Sequence, residues 1–290
     1  MQDLYKTVTD QIITALEAGT PPWICPWATA PGQAIPANLS SGRPYRGVNI
    51  LLLNMVQMMR GYGLNRWLTF NQARALGGCV RKGEHGSTVV FFKLLERDEA
   101  ANDARRKVIP LLRSFTVFNA SQVDGLPDAL TATAPLPERW SPVEAAEAIL
   151  ARSGAVIHHC GERAFYRPAD DTITLPPAAQ FPQPAAYYSV ALHELTHWTG
   201  APNRCNRPLL GRQHIEAYAF EELVAEMGAA FLCSHVGIAG ELQHASYISH
   251  WLDALKRDKR LIFTAASLAQ KAADYLIPQP ETVHVEAVSS

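Results

Sequence analysis

His193, Glu194 and His197 form an H-E-x-x-H pattern, and no other residues in this chain imply chemistry so directly. On a helix, residues four apart share a face, so both imidazoles can reach one divalent ion. Glu194, set between them, then lies beside the ion's open position and can take a proton from water. The flanks permit a buried helix. Residues 185–192 hold neither Gly nor Pro, and Gly200 and Pro202 follow where a helix would stop. A pair of satisfied core histidines is the bland alternative, but it leaves Glu194 without a use.

Two histidines leave a site incomplete, because a catalytic zinc takes three protein ligands and keeps one position open. The next helical pattern, His214 to His235, carries Glu221, Glu222 and Glu226 in an otherwise apolar segment. Glu222 and Glu226 are four apart, on a face shared with Ile215, Tyr218, Ala219 and Ala229. One or both carboxylates should therefore point inward, where each needs a partner or a metal. On residue type and spacing alone, either could be the third ligand. The E-x-x-x-E spacing resembles the second zinc helix of thermolysin-like peptidases, the gluzincins. That resemblance implies Glu222 as the ligand and Glu226 as the residue orienting His193 or His197. The ion would be Zn²⁺ or another divalent metal such as Mn²⁺. Tyr218 or His235 could assist an oxyanion, and a strand at 172–175 could pair with an extended peptide.

The chain around these groups has 290 residues, room for two domains or one large one, and its 48% hydrophobic content supports a core. The net charge of −1 is divided unequally: residues 1–125 carry 14 Lys and Arg against 9 Asp and Glu, and residues 126–290 carry 12 against 18. A basic first half suits a polyanionic partner, and an acidic second half suits a cation site. The five cysteines are scattered, with no C-x-x-C, which fits a reducing, cytoplasmic setting. No apolar run is long enough to span a membrane, and the N-terminus lacks the apolar core of a signal peptide.

Periodicity predicts a helix over 3–18, an ordered Pro- and Trp-rich loop over 20–47, and a buried helix over 48–59. Thr69 and Gln72 form a capping box opening a short helix that stops at Gly77. Strands are predicted at 87–93 and 108–118. Residues 126–140, with three prolines, form the expected linker. Ser141-Pro142-Val143-Glu144 then opens a helix ending at Gly154. Short strands should follow at 155–158, 164–166 and 172–175, then the two site helices and a helical tail over 247–276.

In the first half, Trp23, Trp27, Tyr45, Trp67 and Phe70 are interleaved with Arg43, Arg46, Arg66, Arg81 and Lys82. Single-stranded nucleic acid is bound by such a mixture, with bases stacking on aromatic faces and cations tracking phosphates. Tryptophans are more often core than platform, so this pattern alone is weak.

The wording of several segments is more specific. Pro22-Trp23, Pro26-Trp27, Gly42 to Asn49, Trp67 to Ala73, Gly78 to Glu84 and Val117-Phe118-Asn119 resemble the N-terminal domain of the ArdC family of plasmid antirestriction proteins. Phe165 to Pro168, Asp171, His193 to Gly200 and Glu221 to Glu226 resemble that family's zincin-like metallopeptidase domain. The resemblance runs through nearly the whole chain. It implies an α+β fold of two domains: a single-stranded-DNA-binding domain over 1–125 and a metallopeptidase domain over 141–290. It also implies protection of incoming plasmid DNA from host restriction during conjugation. The partners would be single-stranded DNA and a protein or peptide substrate, with no membrane. A rival reading is a non-catalytic protein that coats single-stranded DNA and keeps only a structural or vestigial metal site. Glu194 favours the enzyme, since a structural site has no need of it.

Overall fold

A computed structural model describes residues 3–23, 35–97, 107–131, 142–209, 214–239 and 247–277 of the chain. The fold is α+β. Helix α1 (Leu4–Glu17) is capped by Asp3, whose side chain accepts from the Lys6 amide, and it buries Val8, Ile12, Ala15 and Leu16. Strand β1 (Ala37–Asn38) leads to α2 (Val48–Arg60), which ends at Gly61 in the left-handed conformation. Then come β2 (Arg66–Leu68), α3 (Phe70–Ala75) and β3 (Cys79–Val80). The Thr69–Gln72 capping box forms as the spacing predicts. A long antiparallel hairpin follows, β4 (Ser87–Arg97) with β5 (Lys107–Asn119), paired from Ser87 opposite Val117 to Arg97 opposite Lys107. Together these strands give a sheet of order β1-β2-β5-β4, and β6 (Val123–Asp124) pairs with β3.

The segment expected as a linker holds a short helix, α4 (Asp128–Thr131), and residues 132–140 lie outside the described residues. Helix α5 (Pro142–Ser153) opens the second half. A small sheet follows, built of β7 (Val156–His159), β8 (Phe165–Arg167) and β9 (Thr172–Leu175) in the order β7-β9-β8. Helices α6 (Pro184–Trp198), α7 (Ile215–Val236), α8 (Ile248–Arg257) and α9 (Leu261–Leu276) complete the described fold. Helix α7 is buried on all sides from Glu221 to Ser234 and packs against α5, α6, α8 and α9. A helix enclosed in this way must be apolar all round, and its three buried glutamates therefore stand out.

The close approach of α6 and α7 rests on Gly228. A Cβ there would lie 2.4 Å from Cγ2 of Thr196, which is fully buried on α6 between the two histidines. Gly228→Ala should therefore spread the two helices and cost about 1–3 kcal/mol, the usual penalty of overpacking. Denaturant unfolding of the single variant and of Gly228→Ala with Thr196→Ala checks this, because removing the threonine methyl should restore most of the loss.

The two halves do not stand apart, contrary to the independence that a proline-rich linker suggests. One core cluster joins Val8, Ile12 and Ile50 of the first half to Trp251, Leu255 and Ile262 of the second. Polar contacts cross the same seam. The Thr9 hydroxyl donates to the Lys259 carbonyl at 2.7 Å, and the Gly47 amide donates to the Gln270 side chain at 3.1 Å. Lys256 pairs with Glu17, Lys259 with Asp3, and Arg46 with Asp274. An amphipathic α1 needs an apolar surface to cover, and α8 and α9 supply it.

Candidate metal centre

Helix α6 carries His193 and His197, and α7 delivers Glu222 between them. His193 Nε2 lies 3.2 Å from His197 Nε2, and Glu222 Oε2 lies 3.3 Å from the first and 3.5 Å from the second. Ligand atoms about 2.0–2.2 Å from one tetrahedral centre stand about 3.3–3.6 Å apart, so this triangle has the dimensions of three ligands on one ion. Among the described residues, these are the acidic, His or Cys side chains grouped closely enough to hold a metal. The donor set of two imidazoles and one carboxylate suits Zn²⁺ and similar divalent ions. Glu194, on the same helix and 5% exposed, accepts a hydrogen bond from the Tyr166 amide of β8 at 2.8 Å.

Behind the triangle stands a group that sequence reasoning did not find. His197 Nδ1 lies 3.2 Å from Glu221 Oε1. Arg207 grips that carboxylate in a fork, Nη2 donating to Oε1 at 2.8 Å and Nε to Oε2 at 3.0 Å. Its remaining donors reach the Thr199 hydroxyl at 2.8 Å and the Thr196 carbonyl at 2.7 Å. With Nδ1 engaged by Glu221, Nε2 of His197 is the nitrogen left to face Glu222 and His193. The orienting role expected of Glu226 is thus filled at His197 by Glu221. Glu226 itself is buried one helical turn beyond Glu222. The signal missed was adjacency: helical periodicity puts positions 221 and 222 on neighbouring faces, and Arg207 lies outside any helical pattern. Burial opposes charge on His197, but its hydrogen bonds with Glu221 and Glu222 outweigh this and hold the imidazole up at about 10. Burial likewise opposes charge on both carboxylates, yet their imidazole partners, with Arg207 at Glu221, hold them below the ordinary range.

A second brace fixes β8. Asp171, in the left-handed region at φ 56°, accepts from the Tyr166 hydroxyl at 2.9 Å and from Arg204 Nη1 at 3.0 Å. The Arg204 guanidinium also lies 3.7 Å from the Trp198 ring centroid, over the last turn of α6. Burial, and then the Asp171 carboxylate, push the Tyr166 phenol up to about 12, so it stays a donor. The turn holding β8 is thereby tied to the helix that carries Glu194.

Two expectations about this region are overturned. Strand β9 is flanked on both sides, by β7 and β8, so it has no edge left for a peptide; the outer strands of this sheet are β7 and β8. His235 lies about 20 Å further along α7 than Glu222, too far to help an oxyanion. Tyr218 sits a turn ahead of Glu222, its ring 5.7 Å from that of Tyr247.

The expected nucleic-acid residues scatter. Trp23 and Trp67 cannot be stacking platforms here, being 2% and 0% exposed. Trp23 packs edge-on against Trp251 in the core shared by both halves. Trp67 donates its indole N–H to Asn65 at 2.7 Å. Trp27 lies outside the described residues. Tyr45 is half-buried against Leu53 and Trp67. Arg43 and Lys82 are exposed, Arg46 is paired with Asp274, and Arg81 bonds Glu84, Asp124 and the Ser121 carbonyl.

Comparison with known proteins places this geometry. Residues 2–118 match the model of the N-terminal domain of anti-restriction factor ArdC, and residues 144–268 match that of a zincin-like metallopeptidase. The crystal structure of the antirestriction ArdC protein from plasmid R388 has 45% sequence identity and a TM-score of 0.79, covering 95% of this chain and 97% of that one. The chain belongs to the ArdC family. The Mn(II)-bound structure of that same R388 relative aligns at a TM-score of 0.78 with 44% identity. The uncharacterized protein y4eC of Sinorhizobium fredii (strain NBRC 101917 / NGR234) is 42% identical over 287 residues, covering 96% of this chain and 92% of the relative. A DNA primase TraC of Escherichia coli is 40% identical over 296 residues, but this chain spans only 27% of it. An ArdC-like unit can therefore also stand within a much longer polypeptide. Among the described residues, no helix is long and apolar enough to cross a membrane.

Proposed function

We propose that this ArdC-family protein binds single-stranded DNA through its N-terminal half and hydrolyses peptide bonds at a divalent metal held by His193, His197 and Glu222, in the service of antirestriction. The observation that carries the proposal is the triangle of three ligand atoms 3.2–3.5 Å apart with Glu194 on the same helix. The Mn(II)-bound R388 relative supports a divalent ion, and Zn²⁺ fits the same donors. Such an ion supplies Lewis-acid polarisation of a carbonyl and makes water a stronger acid. The chain does the rest. Glu194 accepts the proton from the attacking water and returns it to the leaving amine. The Tyr166 amide holds one oxygen of that carboxylate, which fixes the direction of the other. Strand β8, an outer strand of its sheet, can align an extended peptide beside it through the main-chain groups that β9 and Glu194 leave free. Glu221 and Arg207 keep His197 turned toward the ligand triangle.

Metal binding is tested by titrating metal-depleted protein with Zn²⁺ and, separately, Mn²⁺ while following thermal unfolding. An ion that binds only the folded chain should add about 2.7 kcal/mol of stability at 100 times its dissociation constant. His193→Ala should abolish the shift, and Glu222→Ala should weaken it more than Glu226→Ala. A full shift retained by His193→Ala would sink the assignment, and the reverse order of the two glutamates would make Glu226 the ligand.

A further inference from the structure

Besides Phe70, which is 48% exposed, the described N-terminal half exposes aromatic rings at positions the sequence pattern did not single out. Phe91 on β4 and Phe115 on β5 are each 48% exposed, and their rings meet edge to face with centroids 6.4 Å apart. The hairpin register sets Phe91 opposite Arg113 and Phe115 opposite Val89. Directly opposed residues share a face, so both rings and the exposed Arg113 guanidinium stand on one side of the strand pair. The hairpin cannot turn to hide them. Val90 and Leu112, which alternate to the other side, pack into the main core. Asn49 of α2 also clamps Val90 by two hydrogen bonds of 2.8 Å, one to its carbonyl and one from its amide. Rings held out on a rigid scaffold forgo burial, and such a feature marks a surface of interaction.

Charge identifies the occupant. The two strands of the hairpin hold Lys93, Arg97, Lys107 and Arg113 against one acidic residue, Glu96. Flat apolar faces beside an exposed Arg113, in a hairpin whose sequence carries an excess of cations, fit a ligand with π faces and regular negative charge, which is a single strand of nucleic acid. We propose that Phe91, Phe115 and Arg113 form the platform on which single-stranded DNA stacks. This rests on the reading that the N-terminal half binds single-stranded DNA, and assigns the surface that does so. Bases stack on the two rings, and Arg113, directly across from Phe91, takes a phosphate beside them.

The test is fluorescence anisotropy of a labelled oligo(dT) with the full chain across a salt series. Replacing both phenylalanines by leucine keeps apolar bulk but removes the π faces, and should weaken binding about tenfold or more. Replacing both by tyrosine should preserve it. Arg113→Ala should reduce the slope of log affinity against log salt by about 0.7, the share of one phosphate contact on a single strand. Thermal unfolding of all three variants should match the parent, since the side chains are solvent-facing. A parent that binds while the leucine pair binds as tightly overturns the assignment of the surface and leaves the DNA-binding reading standing. A parent with no salt-dependent binding removes that reading, and the surface assignment with it. Equal affinity for duplex and single strand overturns stacking as the mode of contact.

Discussion

Glu194→Gln should leave the metal content and stability of this protein nearly unchanged and reduce peptide hydrolysis by about 10²–10⁴-fold, the usual contribution of a positioned general base. The side chain is not one of the three ligand atoms, so the ion should stay. Glutamine keeps an oxygen that can accept the Tyr166 amide hydrogen bond, so β8 should stay too. What is lost is the capacity to hold a proton. Elemental analysis, a denaturation curve and a proteolysis assay on DNA-bound protein check the three statements separately. The same variant decides between two modes of protection in cells. If antirestriction survives Glu194→Gln and fails when Phe91 and Phe115 are changed, protection comes from coating the strand. If both changes abolish it, proteolysis at the DNA is the mechanism. If antirestriction survives both, neither site is the means of protection.

Arg207→Ala should destabilise the protein by about 3–5 kcal/mol, because it strands a buried carboxylate. The guanidinium is 1% exposed and makes bonds to Glu221, Thr199 and Thr196. Removing it leaves Glu221 in a low-dielectric interior with only His197 to balance it. Glu221 then loses the fork that fixes its position, the imidazole it orients is held less firmly, and metal affinity should fall about 10–100-fold, as for other residues that orient a ligand. Arg207→Met combined with Glu221→Gln neutralises both partners and should recover most of the stability but not the metal affinity. Guanidinium unfolding with and without a chelator separates the two effects. A single Arg207→Ala variant as stable as the parent would show that water, and not the protein, satisfies that carboxylate.

Sequence periodicity is informative where one helix face must be buried, and it failed where burial comes from elsewhere. The spacing of His193 and His197 and the inward placement of Glu222 follow from helical geometry, and the structure brings the three together. The Thr69 capping box and the bounds of α1 and α2 are equally local, set by residues within a turn of one another. Trp23 and Trp67 are a different case. They lie in short segments near Pro, Gly and Asn, where no period tells an inward ring from an outward one. Their burial depends on Trp251 and on Asn65 with Val117. Phe91 and Phe115 mislead in the opposite sense, since strands rich in Val and Phe read as core on both faces. Arg207 and Glu221 are 14 residues apart with no periodic relation, and the seam between the halves joins residues at opposite ends of the described fold.

That seam bears on how the protein comes into being on the ribosome. Thr9 meets Lys259 across 250 residues, and Asp3 meets Lys259 across 256. At about 5–20 residues per second, α1 waits roughly 12–50 seconds after its own synthesis for the surface it will cover. The strand hairpin and its sheet, whose partners lie close in sequence, can form during that interval. The core under α7 cannot close until α8 and α9 emerge. A nascent chain thus acquires its four-stranded sheet before its ligand triangle, and a truncated message yields a product with the first and without the second.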